Sequence, residues 1–182
     1  MGGVLATRTL LKFGCKHPVF IRSRSCLNGE ADKRIEGYLQ VCSQENITPV
    51  CFDRYNDIDF RTSLNEFILE HIQDNHTLDF DGIFANTDEQ AYMVMQLLRS
   101  HGFSVPEDVQ IIGFDGIHKF NSAQNDLYVS TICQPIPALA KACVDLVLAK
   151  DRTNLPSLTL LPVTYAYGGT TLDPEHYKKT GR

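Results

Sequence analysis

The amino-acid sequence predicts an α/β fold built on an open, doubly wound parallel sheet. Short apolar runs alternate with amphipathic helical stretches from end to end, and turn residues bound each run. The stretch from Phe80 to Gly116 parses as strand, turn, helix, loop and strand. Gly82-Ile83-Phe84-Ala85 is a brief apolar run, as a buried strand should be. Asn86-Thr87-Asp88 supplies a helix cap, and Glu89 adds negative charge in the first turn, where the helix dipole favours it. Ala91, Val94, Met95 and Leu98 form one apolar face, and Gly102 is the stop. Val109 to Phe114 is apolar nearly throughout, which calls for cover on both faces. In open sheets of this kind ligands sit beyond the carboxyl ends of the strands, where Asn86, Thr87 and Asp115 fall.

The other elements follow in order. VLATRTLLKFG is helical in pattern and ends at Gly14; with no strand ahead of it, the chain starts abruptly. Pro18 to Ser23 reads as the first strand. A helix runs from about Asp32 to Gln44 with Ile35, Tyr38, Leu39 and Cys42 inward, and Ile47 to Phe52 is the next strand. Asp53 to Arg61 reads as a polar loop. Ser63-Leu-Asn-Glu66 has capping-box spacing and opens a helix carrying Leu64, Phe67, Ile68 and Ile72. Beyond the central unit, residues 116–126 form a polar connection and Leu127 to Ile132 is β-rich. Pro135 and Pro137 open a helix to about Lys150, with Ile136, Leu139, Ala140, Cys143, Val144 and Val147 as its buried stripe. Leu158 to Tyr167 is a long β-prone run.

A chain of 182 residues buries a real core. A net charge of −5 with scattered Lys and Arg gives no basic stripe, so no duplex-binding surface. No apolar run approaches the length of a membrane span, and no signal-peptide pattern opens the chain. The six cysteines lack any framework spacing and read as reduced thiols, which favours a cytoplasmic home over the two sequons at Asn46 and Asn75.

The six histidines lie in different elements without ligand spacing, so no metal is expected. No GxSxG elbow, P-loop or GxGxxG is present, and neither a cofactor nor an enzymatic role is expected. What remains are polar groups at strand ends. Thr87 or Asp88 serves as a helix cap and Asp115 as a turn former on one reading, and as ligand contacts on the other; the residues alone leave both open.

Several segments in order shift that balance. They are Gly2-Gly3 before a helix ending in Gly14, Lys33-Arg34-Ile-Glu-Gly37-Tyr38, Phe84-Ala-Asn-Thr-Asp88 with Ala91, Val105-Pro-Glu-Asp-Val109, Ile112-Gly-Phe-Asp115, Ser130-Thr-Ile132 and Leu161-Pro-Val163. From Gly2 to Leu172 the chain resembles the effector-binding region of the LacI/GalR family of bacterial transcription regulators, a two-lobed, periplasmic-binding-protein-like (type I) fold. The resemblance implies a sugar-sensing domain of a cytoplasmic repressor, with effector binding between lobes controlling a helix-turn-helix DNA-binding head outside this chain. It implies that residues 1–133 form the C-terminal lobe, and that residues 134–182 hold the closing helix and strand of the N-terminal lobe plus a tail. Without that lobe, these pieces are expected to lie against another copy of the chain or on the lobe's own surface.

Carried over position by position, the resemblance implies that Arg34, Thr87 and Asp115 contact the effector. A guanidinium fork and a carboxylate each suit adjacent sugar hydroxyls. Asn86 and Gln134 are further candidates, and either Tyr55 or Phe60 would supply an aromatic ring for a sugar face. Homodimerisation is expected through the helix bearing Tyr92 and Gln96, together with the loop at 116–126. Operator DNA would be bound through the head and not through this chain. The alternative reading is a sugar-binding protein of a transport system; a third is a small α/β hydrolase using the same crevice.

Overall fold

A computed structural model describes residues 1–24, 29–55, 59–117, 129–149, 158–173 and 175. The chain runs α1 (Gly2–Lys12), β1 (Pro18–Arg24), α2 (Gly29–Glu45), β2 (Val50–Tyr55), α3 (Phe60–Glu70), β3 (Gly82–Ala85), α4 (Asp88–Ser100), β4 (Gln110–Asp115), β5 (Ser130–Cys133), α5 (Ile136–Leu148) and β6 (Thr164–Ala166). The strands form one sheet in the order β2-β1-β3-β4-β5-β6. The first five are parallel and β6 runs antiparallel to β5. The chain steps from β1 outward to β2, then returns to the other side of β1 with β3. That reversal opens a crevice at the carboxyl ends of β1 and β3.

Alternation along the strands divides the core in two. Val19, Ile21, Ile83, Ala85 and Ile111 meet Leu64 and Ile68 of α3 and the α4 face of Ala91, Val94, Met95 and Leu98. On the opposite face Phe20, Phe84, Ile112 and Phe114 meet Ala6 and Leu10 of α1 and Tyr38 and Cys42 of α2. The sheet is therefore covered on both faces, as its apolar strands require.

Helices α1 and α2 cross on glycine. A Cβ at Gly3 would stand 2.0 Å from the Arg34 carbonyl oxygen, and one at Gly37 would stand 2.7 Å from the Val4 nitrogen. This close crossing seats Arg34, one turn into α2, at the sheet's carboxyl edge.

Several elements differ from the sequence expectation. Helix α3 begins at Phe60, three residues before the capping-box serine, because the Asp59 side chain accepts from the Thr62 amide and caps the helix earlier. Strand β2 is shifted toward the carboxyl end and takes in Asp53 to Tyr55, which the sequence pattern assigns to a loop. Leu39 of α2 is exposed, while Val41 is buried.

The division at 133/134 is also crossed. Strand β6 pairs with β5, and the following segment is tied to the sheet. The Ile111 amide donates to the Thr170 carbonyl at 2.7 Å, and the Thr170 hydroxyl donates to the Ile111 carbonyl at 2.7 Å. Thr170 and Thr171 are fully buried. Residues 164–172 are thus built into the same body as residues 1–133, because β5 offers them a free strand edge. Helix α5 behaves differently: none of its residues is buried, and its predicted inner stripe, Ile136, Leu139, Val144 and Val147 among it, is exposed.

Candidate functional site

The carboxyl rim of the sheet gathers Arg34, Asn86, Asp115 and Gln134. Arg34 arrives from α2, which follows β1. Its Nη1 donates to the backbone carbonyl of Asn86, the residue just after β3. Its Nη2 donates to Asp115 Oδ1 at 3.3 Å, across the end of β4. The guanidinium carbon lies 3.8 Å from the centroid of the Phe114 ring, a cation–π arrangement that steadies the charge over an apolar face. Gln134, one residue past β5, donates its side-chain amide to the same Asp115 oxygen at 2.8 Å. The rim thus binds one carboxylate from two sides while remaining accessible: the side chains of Arg34 and Asp115 are 17% and 21% exposed.

Electrostatics keep this group poised. Burial raises the Asp115 carboxyl above its usual range, and the Arg34 charge together with hydrogen bonds from Gln134 and Arg34 opposes that rise. An arginine held over a ring, a partly exposed carboxylate and a primary amide form a set of donors and acceptors. Groups of this kind can pair with adjacent hydroxyls, which donate and accept at once. Burial pushes the Cys15 thiol up to about 12 and also raises Cys42, so neither is a thiolate at neutral pH.

Thr87 stands beside Asn86 at the start of α4, where its hydroxyl accepts from the Gln90 amide at 3.2 Å. Here Thr87 makes the helix cap, one of the two roles the sequence leaves open. Asn86 is buried, and its side-chain oxygen has no partner among the described residues. Tyr55 ends β2, with β1 and β3 intervening before β4, so its backbone is roughly 14 Å from that of Asp115 at ordinary strand spacing.

Phe60 is a correction. Its ring is buried in the core, 5.5 Å from that of Phe52, and supplies no platform at the rim. The early start of α3 turns it inward.

Two charged groups near this rim make tertiary bonds that sequence reasoning does not foresee, Arg22 having no role assigned and Asp88 only that of a cap. Arg22, on β1, is 1% exposed and grips Asp53 with two bonds, Nε to Oδ1 at 3.0 Å and Nη2 to Oδ2 at 2.8 Å. Its Nη1 reaches Asp32 of α2 at 2.7 Å. Asp88, the first residue of α4, is 2% exposed. The one signal in the sequence for Arg22 is a charge inside an otherwise apolar strand.

A groove of about 540 Å³ lies alongside, between the start of α1, α2 and the 158–163 segment, and Arg34, Gly37, Phe114, Gln134, Leu139 and Leu161 contribute to its walls. Asp115 and Thr87 do not line it. Among the described residues no group of three or more His, Cys, Asp or Glu is arranged to hold a metal. No helix of the described residues is long and apolar enough to cross a membrane.

Residues 7–171 match the periplasmic binding protein-like domain. The chain belongs to that family. Among its relatives is the sucrose operon repressor of Streptococcus mutans, 31% identical over 163 residues, covering 89% of this chain and 48% of the relative. The ribose operon repressor of Halalkalibacterium halodurans is 33% identical over 135 residues, covering 74% of this chain and 38% of the relative. These relatives are repressors rather than enzymes. The chain spans about half the length of the curated relatives it matches.

Solved structures agree on the fold. The lac repressor dimer bound to operator and the anti-inducer ONPF superposes with a TM-score of 0.74 at 20% identity, over 94% of this chain and 58% of that one. A periplasmic binding protein/LacI transcriptional regulator from Alkaliphilus metalliredigens, complexed with D-xylulofuranose, gives 0.69 at 27% identity, over 93% and 62%. The LacI/GalR resemblance and the periplasmic-binding-protein-like α/β fold read from the sequence are therefore both met.

Proposed function

We propose that this domain is the effector-sensing lobe of a cytoplasmic, sugar-responsive transcription repressor, and that Arg34, Asp115 and Gln134 hold the carbohydrate. The observation that carries the reading is the convergence of Arg34 and Gln134 on one oxygen of Asp115, at the carboxyl edge of the sheet. A sugar hydroxyl pair would take over those bonds, with Asn86 and Thr87 next to it at the start of α4. Charge-assisted hydrogen bonds of this kind contribute about 1.5–3 kcal/mol each. A second lobe would complete the cleft, and the ligand's preference for one closure state would bias a dimer's grip on operator DNA through a head outside these residues. Dimerisation would use α4, where Gln96 is exposed and Tyr92 half-buried. The kinship with sugar-operon repressors favours this reading over a transport protein.

Calorimetry of the chain against sucrose, D-ribose and D-xylulose tests it. At least one sugar should bind, at about millimolar strength for half a cleft. Arg34→Ala and Asp115→Ala should each weaken that sugar at least about tenfold. Binding unchanged in both variants, or no binding of any sugar, would contradict the reading.

A further inference from the structure

We propose that Asp88, which need touch no ligand itself, is the positioning residue for the Asp115 carboxylate, holding the backbone beyond β4 in the conformation that presents Asp115 at the rim. The inference rests on the effector reading of that rim. Asp115 has φ +114°, a region that L side chains rarely adopt and that persists only where the surroundings impose it.

The surroundings here lead back to one carboxylate. The Ile117 amide donates to Asp88 Oδ2 at 2.6 Å. The Gly116 amide donates to the Thr131 hydroxyl at 3.2 Å, and that hydroxyl donates to Asp88 Oδ1 at 2.6 Å. Both amides that follow Asp115 are therefore tied to Asp88, one directly and one through β5. Gly113 makes room for it, since a Cβ there would stand 2.3 Å from Asp88 Oδ1.

Helix capping does not account for Asp88, because Thr87 already caps α4. Nor does packing, because a carboxylate buried this deeply is disfavoured in its charged form. Burial pushes it up to about 6, the Thr131 and Ile117 donors pull it back, and the Asp115 charge adds to the rise. Among the described residues, Asp115 on β4 and the Cys133 thiol on β5 are the titratable groups close enough to interact with it, with Arg34 of α2 paired to Asp115. The other elements packed on α4 contribute apolar side chains of one cluster, Leu64 and Ile68 from α3, Ile21 from β1 and Ile83 from β3.

The test is an NMR pH titration of the Gly116 and Ile117 amides in the whole chain, paired with affinity for whichever of the three sugars binds best. Wild type should show an inflection near pH 6 shared by both amides, beside the step that the neighbouring Asp115 carboxyl gives. In Asp88→Asn that inflection should vanish while the spectrum stays dispersed, and the sugar should bind about tenfold more weakly at neutral pH. An inflection near pH 6 absent from wild type, or unchanged at both amides in Asp88→Asn, would overturn the proposal, as would wild-type affinity in that variant. If Asp88→Asn does not fold, Thr131→Val decides instead: the Gly116 amide should lose its protection from hydrogen exchange while Ile117 keeps it, and equal protection in both would count against the proposal. Should no sugar bind the wild type, the effector reading fails, and the amide titration still decides whether Asp88 holds this backbone.

Discussion

Two arginines meet carboxylates at the carboxyl side of this sheet, and they are held in different ways. Arg22 is sealed at 1% exposure, with all three guanidinium nitrogens engaged by Asp53 and Asp32 at 2.7–3.0 Å. Arg34 remains partly open: it donates to the Asn86 carbonyl and to Asp115 at 3.3 Å, and rests on the Phe114 ring. The first geometry is that of a structural ion pair, whose removal strands a buried charge. The second leaves both side chains partly exposed to solvent, as the proposed exchange of a bond for a ligand hydroxyl requires. Burial, not the presence of an arginine–carboxylate pair, separates the brace from the candidate grip.

The contrast can be broken by mutation. Arg22→Ala should cost the most, about 3–5 kcal/mol by denaturant unfolding, because Asp53 would keep a largely buried charge without its partner. A loss under about 1 kcal/mol would place Arg22 in the same class as Arg34.

Next comes the pH dependence of Asp88. Its folded value of about 6 lies above the usual 3.8, so the native state binds more protons between those limits. Stability from this group therefore falls as pH rises through that window, by up to roughly 3 kcal/mol. Wild type should show this slope between about pH 4 and 6 relative to Asp88→Asn, and parallel curves for the two proteins would refute it.

Smallest in stability is Arg34→Ala, expected to change unfolding free energy by about 1 kcal/mol or less, since the pair it breaks is partly open. A loss as large as that of Arg22→Ala would make Arg34 a brace too. Phe60→Leu sharpens the picture from the other side: it should lower stability by about 1 kcal/mol through core packing and leave sugar affinity untouched.

Much of this is legible in the residues, for identifiable reasons. Period and turn chemistry locate β3, α4 and β4, and the residues expected on the inner face of α4 are all buried. Arg34 and Asp115, which the family resemblance singles out as effector contacts, stand together at the rim although 81 residues separate them. Phe60 misleads because a capping box at Ser63 outweighs Asp59, whose left-handed backbone no local pattern announces. Arg22 escapes notice because its partners lie 10 and 31 residues away. Asp88 suggests only a possible cap, since its bonds to Ile117 and Thr131 are tertiary. Helix α5 shows the converse limit: amphipathic spacing says which face wants cover, not whether the chain supplies it.

The most direct test follows the two arginine side chains by NMR as sugar is added. If the open pair is the grip, the Arg34 Nε signal and the Gln134 side-chain amide should move together and saturate along one binding curve, while the Arg22 Nε signal stays fixed. Movement confined to Arg22, or an unperturbed Arg34 while sugar binds elsewhere, would contradict the account.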